Sequence, residues 1–233
     1  LQVYRAERGT IIVMNPTTGA ILGMANWPTY DPNNYPVSDA AIFQNPAISA
    51  QYEPGSIFKV VTMAAALDAN IIDPNTRFID TGSITIGQRT LLNSSRTGAG
   101  EVTASQALAL SINVVTAEIA EQLGSDQFYS YVRRFGFGEA TEVDLADEIP
   151  GAVKRPGSQD WSLSDLGTNS FGQGIAVTPI QMVNAVAAIA NGGSLMRPYV
   201  IQSRIYDGHV QHTEPTVANQ VISPESAAEL TEM

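Results

Sequence analysis

The chain is 233 residues long, 44% hydrophobic and 15% charged, with a net charge of -11 and no cysteine. That composition fits a globular protein with ample core and excludes a disordered one. The acidic balance excludes a nucleic-acid partner and docking on anionic lipid through basic patches, and the lack of cysteine excludes disulfides, thiolate chemistry and cysteine-ligated metal.

Strand-like runs at residues 10–15 and 20–27 flank Pro16-Thr17-Thr18-Gly19, whose turn chemistry makes them a hairpin. Pro, Asn and Asp dominate residues 28–36, an ordered loop, and a short helix is expected within 39–50. A helix is then expected to open at Ser56, after the Pro54-Gly55 turn, and to end near Asn70. Residues 57–67 are apolar on nearly every face, with Lys59 and Thr62 the interruptions, and such a helix belongs inside the protein. Short β pieces are expected at 77–79 and 83–86, followed by the polar loop Asn93-Ser94-Ser95-Arg96.

Thr103-Ala104-Ser105-Gln106 is a capping box that opens a helix to about residue 110. Ser111-Ile112-Asn113 interrupts it, a second helix runs over 114–123 to Gly124, and a third over 126–135 to Gly136. Residues 136–168, rich in Gly, Pro, Ser and acidic side chains, read as a long surface excursion. Phe171-Gly172-Gln173-Gly174 leads into a second capping box, Thr178-Pro179-Ile180-Gln181, whose helix runs to Ala190 and ends at Asn191-Gly192-Gly193. Residues 199–206 alternate as a strand, and Ser223-Pro224-Glu225 opens a last helix. His209 and His212 are close enough to share a metal, but a solvated turn after Asp207-Gly208 explains them better. With no repeat and no linker, residues 1–233 are expected to form one domain of mixed helices and sheet. No apolar run reaches transmembrane length and there is no signal peptide; the abrupt start at Leu1 and stop at Met233 suggest a piece of something longer.

Two polar stations carry chemistry. Ser56 and Lys59, three apart on an apolar helix, project from one face. Burial disfavours a charged lysine, and a neutral amine beside a hydroxyl is a base beside a nucleophile. At a helix start, Ser56 also has free backbone N–H groups suited to a developing oxyanion. Against this stand a snorkelling lysine and a simple N-cap serine. Ser111 and Asn113, between two helices, offer a hydroxyl to relay a proton and an amide to hold a peptide, although a helix-ending Ser and a turn Asn are commonplace on their own.

Together and in order, the stations match S-x-x-K and S-x-N. With Tyr52-Glu53-Pro54-Gly55-Ser56-Ile57-Phe58-Lys59 and Ser111-Ile112-Asn113, the chain resembles the transpeptidase domain of class B penicillin-binding proteins. Further matching stretches are Asn15-Pro16-Thr17-Thr18-Gly19-Ala20-Ile21-Leu22, Asp31-Pro32-Asn33-Asn34, Phe171-Gly172-Gln173-Gly174, Thr178-Pro179-Ile180-Gln181 and Ala190-Asn191-Gly192-Gly193. The resemblance implies an α+β (α/β) fold of the serine β-lactamase-like type, an antiparallel sheet flanked by helices with an all-helical subregion. It implies that Ser56 attacks the penultimate D-Ala carbonyl of a peptidoglycan stem peptide, Lys59 takes its proton, Ser111 passes a proton to the departing D-Ala and Asn113 holds the peptide. An amine of a neighbouring strand would then resolve the acyl-enzyme into a cross-link, and β-lactams would acylate the same serine. No cofactor or metal is implied. A glycan polymerase is the implied protein partner, and the extracytoplasmic face of the bacterial membrane, reached through an N-terminal anchor outside this chain, is the implied location.

The family's third motif, K-[ST]-G, is absent; only Lys154 remains, continuing into Arg155-Pro156. Truncation before the motif and the last sheet strands explains this better than divergence, and a chain ending there is expected to be weakly active or inactive. The rival readings are a β-lactamase or β-lactam sensor, which needs a further group to activate a deacylating water, a catalytically silent scaffold, which need not keep all four residues, and a generic α/β domain with accidental motifs.

Overall fold

The computed structural model describes residues 5–233, with residue 41 described by its backbone alone. The first hairpin forms as its sequence dictates: β1 (Gly9–Met14) pairs antiparallel with β2 (Ile21–Trp27), Gly9 opposite Trp27. Its inner residues Ile12, Ile21 and Met24 pack on Ala47, Ile48, Val143 and Ile180. The loop that follows holds single 3₁₀ turns at Tyr35–Val37 and Ala40–Ile42, and α1 (Pro46–Ser49) is capped by the Asn45 side chain.

At the centre lies α2 (Lys59–Asp68), entered through a 3₁₀ turn at Gly55–Phe58. Val61 and residues 63–67 are buried, and Ala64, Ala65 and Ala66 let neighbouring backbones come close. Two hairpin-like ladders follow, β3 (Arg77–Asp80) with β6 (Gly100–Thr103) around β4 (Ser83–Ile86) with β5 (Arg89–Leu92). Then come α3 (Ala104–Ala109), α4 (Asn113–Leu123), α5 (Ser125–Arg134), α6 (Leu163–Ser170) and α7 (Pro179–Ala190). The chain closes with β7 (Ser194–Met196), β8 (Ser203–Tyr206), β9 (His209–His212), β10 (Val217–Gln220) and α8 (Pro224–Glu232). Helices α4, α5, α7 and α8 surround α2 and share its core.

Helix starts follow the expected chemistry. Thr103 with Gln106 and Thr178 with Gln181 form complete capping boxes. Among the described residues the strands are antiparallel but distributed over five two-stranded ladders. Three local expectations need correction. Residues 136–168 are not merely a surface excursion: Phe137 and Leu166 are buried, and α6 begins inside the stretch, its Ser162 N–H bonded to the Asp165 carboxylate at 2.7 Å. The strand expected over 199–206 shrinks to β8, because residues 200 and 201 instead give their N–H groups to Asp144. His209 and His212 lie on an exposed strand rather than in the turn; Asp207-Gly208 alone makes the turn.

Candidate active site

Ser56 stands in the 3₁₀ turn and is exposed, whereas Lys59, the first residue of α2, is fully buried. The helix therefore does not open as α at Ser56. Gly55 has φ 60, a left-handed conformation, and the chain recovers from it through a tight turn in which the Lys59 N–H bonds the Ser56 carbonyl. In such a turn residues three apart eclipse, so Ser56 and Lys59 share a side, as their spacing predicts.

A distant segment sets the position of that turn. Tyr52 and Val177 exchange both backbone hydrogen bonds at 3.0 Å, Gly55 N–H bonds Gly172 O at 2.9 Å, and the Glu53 carboxylate accepts from Gly174 N–H at 2.8 Å. Further along α2, the buried Thr62 hydroxyl donates to Ser170 O at 2.7 Å.

The Lys59 ammonium donates to Ser111 O at 2.5 Å and to Ser111 Oγ at 2.9 Å. Among the described residues no carboxylate pairs with it. Burial lowers its pKa to about 8. About one such amine in ten is therefore neutral at pH 7 and about half at pH 8.

Ser111 owes its position to the end of α3. Ser111 N–H bonds Leu108 O at 3.0 Å and Ile112 N–H bonds Ala107 O at 2.9 Å, the paired bonds of a Schellman motif. The residue at its left-handed corner is usually glycine; here it is Ser111, at φ 56. The turn aims both the carbonyl and the hydroxyl of Ser111 at Lys59. Asn113, the first residue of α4, is nearly buried and its Nδ2 donates to Leu92 O at 3.1 Å. Among the described residues nothing donates to its Oδ1, so the acceptor half of the amide is free for a ligand's N–H.

The fold thus brings Lys59 and Ser111 into contact, sets Ser56 one turn away, and holds Asn113 two residues on. Lys154 stands apart: it pairs with Asp165 at 3.2 Å, the residue that caps α6. A cavity of about 680 Å³ lies against Glu53 and Gly174, and one of about 470 Å³ opens onto Ser111. The Lys59–Ser111 geometry, not volume, marks the candidate site, because among the described residues it is where an amine with a lowered pKa meets a hydroxyl. Asn93, which accepts from Val114 N–H at the start of α4, and Asp80, which holds Asn93, gave no signal in sequence beyond Asn93's place in a polar loop.

Comparison with known proteins gives the family and the fold. The family model described as "Penicillin binding protein transpeptidase domain" matches residues 9–233. Stage V sporulation protein D of Bacillus subtilis is 34% identical, over 97% of this chain and 36% of its own length. Penicillin-binding protein PbpB of Mycolicibacterium smegmatis is also 34% identical, over 98% of this chain and 35% of its own. The chain therefore spans about a third of the length of these relatives. A crystal structure of penicillin binding protein 3 from Mycobacterium tuberculosis, complexed with aztreonam, superposes with a TM-score of 0.88 at 30% identity, covering 97% of this chain and 50% of that one. With a family model matched over nearly its whole length and a solved fold that follows it throughout, this chain belongs to the penicillin-binding protein transpeptidase domain family.

Proposed function

We propose that the protein is a peptidoglycan D,D-transpeptidase that works through an acyl-serine intermediate on Ser56. The observation that carries this reading is the buried Lys59 amine, bonded to both oxygens of Ser111 one helical turn from the exposed Ser56 hydroxyl. In its neutral form Lys59 takes the Ser56 proton as Oγ attacks the penultimate D-Ala carbonyl of a stem peptide. The Ser56 N–H, at the start of the 3₁₀ turn, stabilises the oxyanion. As the C–N bond breaks, the proton on Lys59 passes to Ser111 Oγ, which gives its own proton to the departing D-Ala nitrogen. Asn113 Oδ1 accepts from the peptide backbone and keeps the carbonyl over Ser56. An amine of a neighbouring stem peptide then attacks the ester carbonyl and forms the cross-link, its proton passing back through Ser111 and Lys59 to Ser56 Oγ as the C–O bond breaks.

A β-lactam presents an amide in a strained ring and acylates Ser56 by the same steps, in keeping with the aztreonam complex of the relative above. Such a reaction on peptidoglycan belongs on the extracytoplasmic face of the bacterial membrane, alongside a glycan polymerase that supplies the strands.

The test is intact-mass spectrometry of the full-length protein after incubation with benzylpenicillin. Wild type gains one penicilloyl adduct and Ser56→Ala gains none. Lys59→Ala, without its base, acylates about 10²–10⁴-fold more slowly. An adduct that survives in Ser56→Ala, or none on wild type, overturns the reading; rapid loss of the adduct with turnover of the drug points to a β-lactamase instead.

A further inference from the structure

Helix α4 begins at the site, yet it begins badly. Ile112 occupies its N-cap position and has no side chain that can accept from the first turn. The missing cap arrives from another part of the chain: Asn93 Oδ1, just past the end of β5, accepts from Val114 N–H at 3.0 Å. Its neighbour Leu92 supplies the carbonyl that holds Asn113 Nδ2. Two consecutive residues of one strand end therefore grip two consecutive residues of the helix that follows Ser111.

Asn93 is in turn held by a buried acid. Its Nδ2 donates to both Asp80 oxygens at 2.8 Å and to Thr97 O at 3.1 Å. Asp80 also accepts from Gly82 N–H at 3.0 Å and Ala99 N–H at 2.8 Å, and no cation pairs with it among the described residues. A carboxylate only accepts, so the amide cannot turn over without setting its own oxygen against Asp80; the acid fixes which end of Asn93 faces Val114. Backbone packing keeps the acid in reach. A Cβ on Gly98 would meet Asp80 O at 2.4 Å, and one on Gly82 would meet Gly98 N at 2.8 Å. Asp80, Asn93 and Ser111 line the same cavity of about 470 Å³.

We propose that the Asp80–Asn93 couple is a positioning device for Ser111-Ile112-Asn113, in which Asn93 caps α4 from outside and so sets the rate of Ser56 acylation without touching substrate. The proposal rests on the acyl-serine reading above. The left-handed Ser111 sits between the end of α3 and the start of α4. If the α4 end is released, the oxygens that hold Lys59 lose their fixed place.

The experiment is time-resolved labelling of the full-length protein with a fluorescent penicillin, reading both the rate constant and the fraction labelled at completion. Asn93→Ala is expected to slow the rate constant about 10- to 100-fold, the scale of a small misplacement in an active site, while most molecules still label in the end. A merely structural role does the opposite, lowering the labelled fraction and leaving the rate of the remainder unchanged. Leu123→Ala, a cavity at the far end of α4, should show that second pattern. Should Asn93→Ala fail to fold, Asn93→Asp keeps the shape, sets a second carboxylate against Asp80 and slows labelling, and adding Asp80→Asn restores part of the rate. Wild-type rates in both Asn93 variants overturn the proposal alone, whereas absence of labelling in wild type overturns the acyl-serine reading and the proposal with it.

Discussion

Lys59 is a cation held in the interior by two oxygens of one residue and, among the described residues, by no opposite charge. Burial costs the charged form more than those two bonds return, so the amine gives up its proton at about pH 8, well below the ordinary lysine value. Two consequences follow. For stability, the unfolded chain binds more protons than the folded one between about pH 8 and the ordinary lysine value of about 10.4, so the Lys59 contribution to stability rises with pH across that window. For the proposed reaction only the neutral amine accepts the Ser56 proton. Penicillin acylation is therefore expected to rise about tenfold from pH 6 to pH 7, reach its midpoint near pH 8 and level off above pH 9. Stopped-flow labelling across that range checks it. A flat profile would remove Lys59 from the role of base. Lys59→Arg, charged throughout, should abolish both the activity and the titration.

Among the elements, the end of α3 holds a choice against stability. Its Schellman corner calls for glycine, yet Ser111 stands there at φ 56, at a cost of about 1–2 kcal/mol. Ser111→Gly and Ser111→Ala both lose the Oγ bond to Lys59 and should slow acylation, but Ser111→Gly, relieved of the left-handed strain, should be the more stable of the two by about 1 kcal/mol. Calorimetry beside penicillin labelling separates the two effects, and a Ser111→Gly protein that is less stable than Ser111→Ala would contradict the account. Elements of this kind were legible only in part. Helix α2 announced itself through an apolar run interrupted only at Lys59 and Thr62, and α7 through its capping box. Helix α6 did not, because Gly167, Thr168, Asn169 and Ser170 are poor helix formers and tertiary partners hold them instead: Ser164 Oγ donates to Ile86 O at 3.1 Å and Ser170 O accepts from Thr62. Gly167 sits where a Cβ would meet Leu91 Cδ1 at 2.6 Å, a contact that no local pattern announces. Strands β5 and β6 escaped for the same reason, being defined by their partners β4 and β3 rather than by alternation.

Over the whole molecule, the site is assembled from segments far apart in the chain, and this divides what sequence could reveal from what it could not. Ser56, Lys59, Ser111 and Asn113 could be singled out as candidates because the proposed chemistry imposes residue type and spacing. The groups that hold them were not, since a backbone carbonyl or a turn glycine carries no chemical signature. Gly172 shows the division: its stretch Phe171-Gly172-Gln173-Gly174 stood out in the sequence, but its contact with Gly55 did not. Its φ of 79 is left-handed, and a Cβ there would lie 2.2 Å from Gly55 O and 2.6 Å from Gly55 N, the residue before Ser56. Neither side can yield, because Gly172 O also accepts the Gly55 N–H at 2.9 Å and the strand-like pairing of Tyr52 with Val177 lies just beyond. Gly172→Ala should therefore cost about 2–5 kcal/mol, from left-handed strain and backbone overlap together, and push the Ser56 turn away from Lys59 and Ser111. Gly192→Ala is the matched comparison: its φ of 61 is also left-handed, but a Cβ there meets nothing within 4 Å, so it carries only the strain, about 1–2 kcal/mol. Denaturant melts should separate the two variants by at least about 1 kcal/mol, and at equal folded fraction only Gly172→Ala should acylate slowly. If both variants melt together and label at the wild-type rate, the contact between these two glycines does not place Ser56, and the position of the turn rests on the Tyr52–Val177 pairing alone.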